Sequence, residues 1–145
     1  MRYLTKDWYL MSQQYPMPEE IKRKVYAALK AFREAQAREE IPRELADRFR
    51  FHDFDVTEIV MGEDCVLEVD SPYSGGHKIT FRSAVPGPER PAEGRPWSWI
   101  YDELYRTPEG GYEVHVLLQS DCGPEGVTAA DLCDLVIACA EIEIA

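Results

Sequence analysis

The sequence predicts an α+β fold, with N-terminal helices packed on one face of a mainly antiparallel β-sheet. Three observations predict it. Apolar residues recur every three or four positions up to Arg50 and every second position afterwards. The later runs are joined by short turn sequences, and no βαβ unit is visible. The chain has 145 residues, a usual size for one domain. It is therefore read as a single domain, 1–145, with a helical part (1–50) and a sheet part (51–145).

Thr5 reads as an N-cap for a first helix over Lys6–Gln13, with Asp7 in the first turn where the helix dipole favours negative charge. Tyr15-Pro16-Met17-Pro18 breaks the chain. Pro18 fits the start of a second helix, and Ile21, Val25, Leu29 and Phe32 form its apolar stripe. Lys22, Arg23, Lys24 and Lys30 fall largely off that stripe, as a solvated face would. The helix should end near Arg38–Glu40. Pro42 then opens a short third helix carrying Leu45, Ala46 and Phe49.

"DVTEIVM" and "CVLEV" read as two strands around a Gly62-Glu63-Asp64 turn. "HKITFRSAV" is a third, with Ile79, Phe81, Ser83 and Val85 on one face. Residues 86–96 are Pro-rich and irregular, and such a connection can be mobile. Trp97–Thr107 and Tyr112–Ser120 form the strongest strand pair, turned by "PEGG". Leu135–Cys139 suits a strand. Ile142 and Ile144, alternating with Glu141 and Glu143, suit a half-buried or edge strand.

The hydrophobic fraction is 45% and the aromatic fraction 11%, enough for a sizeable core. No apolar run approaches the roughly 20 residues that span a bilayer. The opening "MRYLTKDWYLMSQQ" places charges where a signal peptide needs an apolar run, so a cytoplasmic location is expected. Free thiols are expected at Cys65, Cys122, Cys133 and Cys139, since there is no CxxC pair and a chain of this length needs no staples. Cys122 is the thiol expected at the surface.

Net charge is −11. Residues 1–50 carry 11 basic and 8 acidic side chains, a balance of +3; residues 51–145 carry 5 and 19, a balance of −14. The acidic excess disfavours nucleic-acid phosphates and anionic membrane surfaces. It suits a basic protein partner, and it also keeps a small domain soluble.

Strict alternation puts Trp97, Trp99, Tyr101, Glu103 and Tyr105 on one face and Ser98, Ile100, Asp102, Leu104 and Arg106 on the other. On the next strand, Tyr112, Val114, Val116 and Leu118 are expected to face the helices. Glu103, Asp102 and His115 are the candidate acid–base residues, because a carboxylate carried toward a core must be paired or shifted in pKa. Trp97, Trp99, Tyr101, Tyr105 and Tyr112 are the candidate binding aromatics, or else core mass. His52, Asp53 and Asp55 are the candidate metal ligands, although capping and turn formation are commoner uses of such residues. There is no P-loop, no GxSxG elbow and no HExxH, and no cofactor is expected.

"MRYLTKDWYLMSQ", "WIYDELYRTPEGGYEVHVLL" and the closing "AEIEI" resemble the uncharacterised bacterial domain-of-unknown-function 4085 family. The resemblance implies a bacterial cytoplasmic protein and transfers no catalytic residue. Three functions stay open: a protein-binding or regulatory module with an acidic surface; a small-ligand binder or hydrolase using carboxylates and His of the 97–119 hairpin; and a structural homodimer formed through an edge strand.

Overall fold

In the computed structural model, which describes residues 1–145, the helices are α1 (Lys6–Ser12), α2 (Glu19–Arg38) and α3 (Arg43–Arg48). The strands are β1 (Phe54–Met61), β2 (Cys65–Ser71), β3 (Gly75–Arg82), β4 (Val85–Pro86), β5 (Trp97–Arg106), β6 (Tyr112–Ser120), β7 (Leu132–Cys139) and β8 (Glu141–Ile144). The Thr5 hydroxyl caps α1 by accepting from the Trp8 N–H, and Pro18 and Pro42 stand immediately before α2 and α3.

All strand pairings are antiparallel, in the order β4-β7-β6-β5-β1-β2-β3-β8. The two ends of this order meet. Ile79 stands opposite Ile144 and Arg82 opposite Glu141, and then Val85 stands opposite Ala138. The register never slips between these pairs, and the Ala140 N–H donates to the Arg82 carbonyl across the break at 2.9 Å. β3–β4 and β7–β8 are therefore two bent staves of one ladder, and the sheet rolls into a barrel. The bend lies at Ser83, where φ is 51°. Asp64 holds it by accepting from the Ser83 N–H at 3.0 Å and from the Arg82 guanidinium at 2.8 Å.

The rolled sheet encloses the larger core, including Leu67, Phe81, Trp99, Val116, Leu118 and Ile137. This corrects the expected position of the core. The Tyr112, Val114, Val116 and Leu118 row faces the barrel interior instead of the helices. Ser83 also breaks the expected alternation, leaving Val85 exposed. The helices build a second core outside the barrel, where Leu4, Trp8, Tyr9 and Val25 meet Ile100, Leu117 and Leu132. At one barrel end Phe49, just after α3, packs edge-on against Phe51 and Trp99, with ring centroids 5.7 and 6.0 Å away. No helix is long and apolar enough to cross a membrane.

β1 and β5 touch over only three residue pairs, from Phe54 opposite Trp99 to Val56 opposite Trp97. Beyond that contact the two strands diverge, and each leaves a backbone edge without a strand partner.

Candidate functional site: an acidic sheet face and its adjoining clefts

The aromatic hairpin is split by a bulge. Trp99 pairs with Leu118 and Tyr101 with Leu117, so Ile100 is the extra residue. The bulge reverses the facing of everything after it. Trp97 and Trp99 point into the barrel, whereas Tyr101, Glu103 and Tyr105 point outward under the N-terminal segment and helices. The expected single aromatic face is thus two half-rows. Tyr101 packs against Trp8 and Tyr9 at 5.4 and 6.2 Å. Tyr112 is buried in the barrel with the Arg106 guanidinium over its ring at 4.7 Å.

Asp102 turns inward with Leu104, and Trp99 Nε1 donates to its Oδ2 at 2.9 Å. Burial pushes the Asp102 carboxyl up to about 6, against the Trp99 bond, and the Glu103 charge adds to the rise. Glu103 is fully buried on the outer face. It accepts from the N–H groups of Arg2 (2.8 Å), Tyr3 (3.1 Å) and Leu4 (2.7 Å) and from the Tyr105 hydroxyl (2.6 Å). Burial pushes this carboxyl up, but those bonds outweigh it and hold its pKa below the usual value. Glu103 is therefore an ionised clamp for residues 2–4.

The same bulge brings His115 directly opposite Glu103 on β6. His115 is 7% exposed, its Nε2 bonds Glu113 at 2.6 Å, and its Nδ1 has no partner. The three acid–base candidates are separated by the sheet: Glu103 and His115 lie outside it and Asp102 inside. The N-terminal segment lies on Glu103 and leaves it no exposed surface.

His52 stacks on Tyr101, with centroids 5.1 Å apart and planes 23° apart, and its Nδ1 bonds the Ile100 carbonyl. Its Nε2 lies 3.4 Å from Asp53 Oδ2. Asp53 has a φ of 64°, and Asp55 points outward from β1. No group of three or more His, Cys, Asp or Glu side chains is placed to hold a metal ion.

The feature that strand pairing creates is on the uncovered outer face of β1 and β2. Asp55 stands directly opposite Asp70, and Glu58 directly opposite Glu68. Like charges at directly opposed positions destabilise a sheet. None of these four carboxylates forms an ion pair; Lys78 stands opposite Glu68 on β3 without bridging to it. Val60, also on this face, is 44% exposed. The sequence shows these acids, but it does not show that a bulge between Val56 and Glu58 sets them opposite one another.

Two clefts adjoin this face, and both include Val56 and Trp97. One, of about 960 Å³, brings Asp53, Asp55 and Asp121 together with Tyr9, Ser98 and Cys122, and no Lys or Arg lines it. The buried Ser120 hydroxyl beside it has no hydrogen-bond partner. The other, of about 620 Å³, lies between the far half of β1 and residues 90–95. The Pro-rich connection is tied down on both sides of that cleft. The Gly87 N–H donates to Val136 O at 2.7 Å, Glu89 pairs with Lys6, and the Trp97 indole donates to Ala92 O at 3.1 Å.

All four cysteines are free, with Cys122 exposed and Cys65, Cys133 and Cys139 buried. Burial pushes the Cys133 and Cys139 thiols up to about 12, so both stay protonated at neutral pH.

No protein-family model matches the chain, and no curated protein and no solved structure matches it. The resemblance to the domain-of-unknown-function 4085 family has no such match behind it.

Proposed function

We propose that this domain is a protein-binding module that docks a basic partner on the open face of β1 and β2. One observation carries the reading: Asp55 opposes Asp70 and Glu58 opposes Glu68, uncovered and without ion pairs. Each opposed pair costs stability in the free protein, and a lysine or arginine placed between its members relieves that cost. Asp53 and Asp121 extend the negative field into the adjoining cleft. The exposed Val60 supplies an apolar contact on the same face.

The test is titration of a fluorescent octalysine peptide at low and physiological salt. One variant carries Asp55→Asn, Asp70→Asn, Glu58→Gln and Glu68→Gln. A control removes the same charge elsewhere, through Glu63→Gln, Glu109→Gln, Glu125→Gln and Glu141→Gln. The expected result is that the first variant loses most of the affinity and the control keeps it. Equal loss in both would show that net charge alone draws the peptide and would end the proposal.

A further inference from the structure

The two strand edges left where β1 and β5 diverge are treated differently. Past Trp99, side chains cap four backbone groups on the edge of β5, at Ile100, Leu104 and Arg106. His52 bonds the Ile100 carbonyl. The Gln36 side chain both donates to the Leu104 carbonyl at 3.0 Å and accepts from the Leu104 N–H at 3.2 Å. Glu39 accepts from the Arg106 N–H at 3.0 Å. Past Val56, the edge of β1 has no such cover. Residues 57–61 pair with β2 on one side and make no backbone hydrogen bond to residues 90–95 on the other. What stands there is the 620 Å³ cleft, whose apolar lining includes Val56, Ile59, Met61 and Trp97.

We infer that β1 accepts an added strand: an extended segment of the partner, alternating basic and apolar residues, pairs with the backbone edge over Thr57–Met61. An incoming strand supplies the hydrogen bonds that this edge lacks. Its side chains alternate, so every second one reaches the apolar lining and the others lie beside Glu58 on the acidic face. Proteins blunt open edges with bulges and charge. Here the bulge lies at the start of the free stretch, between Val56 and Glu58, and the register is regular from Glu58 to Met61. Inside the cleft the charges balance, Arg90 and Arg95 against Glu58 and Glu93, so the preference for a basic strand comes from the outer face, where Glu58 stands opposite Glu68 with no ion pair. The choice of a basic segment rests on the function proposed above; the strand pairing itself rests on the free edge and its cleft.

The probe is a fluorescent peptide of five lysine–valine repeats, compared with two isomers N-methylated either at every lysine or at every valine. N-methylation removes backbone donors and leaves charge intact. Strand addition predicts that at least one isomer binds about tenfold more weakly than the parent. It also predicts that Glu58→Lys, an exposed change, weakens the parent peptide. Both isomers binding like the parent, or no binding of the parent, overturns the inference. In the first case the acidic-face reading survives if the four-carboxylate variant still loses octalysine. Sedimentation showing a dimer that the peptide cannot displace would assign the edge to a second copy and would also overturn it.

Discussion

Trp99 donates its indole N–H to Asp102 across the Ile100 bulge at 2.9 Å, and this turns Asp102 into the barrel while Glu103 goes out of it. Two adjacent carboxylates thus occupy opposite environments. Their pKa values move in opposite directions, one raised by burial and one held down by four donors.

For Asp102, the folded-state pKa of about 6 lies above its unfolded value. Between the two, the folded chain keeps a proton that the unfolded chain has lost. Stability therefore falls as pH rises through this window and is flat above it. Asp102→Asn keeps an acceptor for Trp99 and removes the charge. It should stabilise the protein by ~1–3 kcal/mol at pH 7–8, with the gain vanishing near pH 4. Urea unfolding across that pH range checks this, and a constant difference at all pH values would contradict it.

Glu103 has the opposite sign. Its pKa is lowered in the folded state, so its contribution is present above the unfolded value and is lost as pH falls through the folded one. Glu103→Gln places an amide donor among four donors and should cost about 3 kcal/mol at neutral pH. Residues 2–4 should also loosen, read as faster amide exchange at Tyr3 and Leu4.

Gln36 replaces a missing strand partner for Leu104. Gln36→Ala leaves two backbone groups of β5 unpaired and should cost about 1–3 kcal/mol. The Leu104 amide should exchange faster while the Val116 amide, inside the β5–β6–β7 ladder, should not change.

Glu58→Lys converts an opposed like-charge pair with Glu68 into an opposite-charge one. It should stabilise the domain by ~0.5 kcal/mol even though it weakens binding of the lysine peptides. Thermal unfolding of the same variant used in the peptide titration gives both numbers, and a destabilised variant would argue that these acids serve the fold itself.

Much of the local structure was legible before any tertiary contact. Thr5 and the two prolines mark the helix starts, because capping and the missing proline N–H are local effects. The strands from Phe54 to Ile144 follow period-two patterning between three interruptions, at the Val56/Glu58 bulge, at Ser83 and at Ile100. The Pro-rich 86–96 connection reads as open from composition, yet it is held by partners distant in sequence: Val136, Lys6 and Asp134. The acidic face was legible only as an excess of charge. Asp55, Glu58, Glu68 and Asp70 become a row when β1 and β2 pair.

The sequence alone determined the order of helices and strands, the free thiols and the acidic balance, since these depend on composition and near neighbours. Tertiary structure decided which way each side chain faces after a bulge, because one inserted residue reverses a period of two. It also decided that the sheet closes on itself, because closure depends on the bends at Ser83 and Ala140 and on a register shared by strands more than 50 residues apart. From the bulge come the inward Asp102 and the outward Glu103, and from the short β1–β5 contact comes the uncapped edge of β1 beside the acidic face.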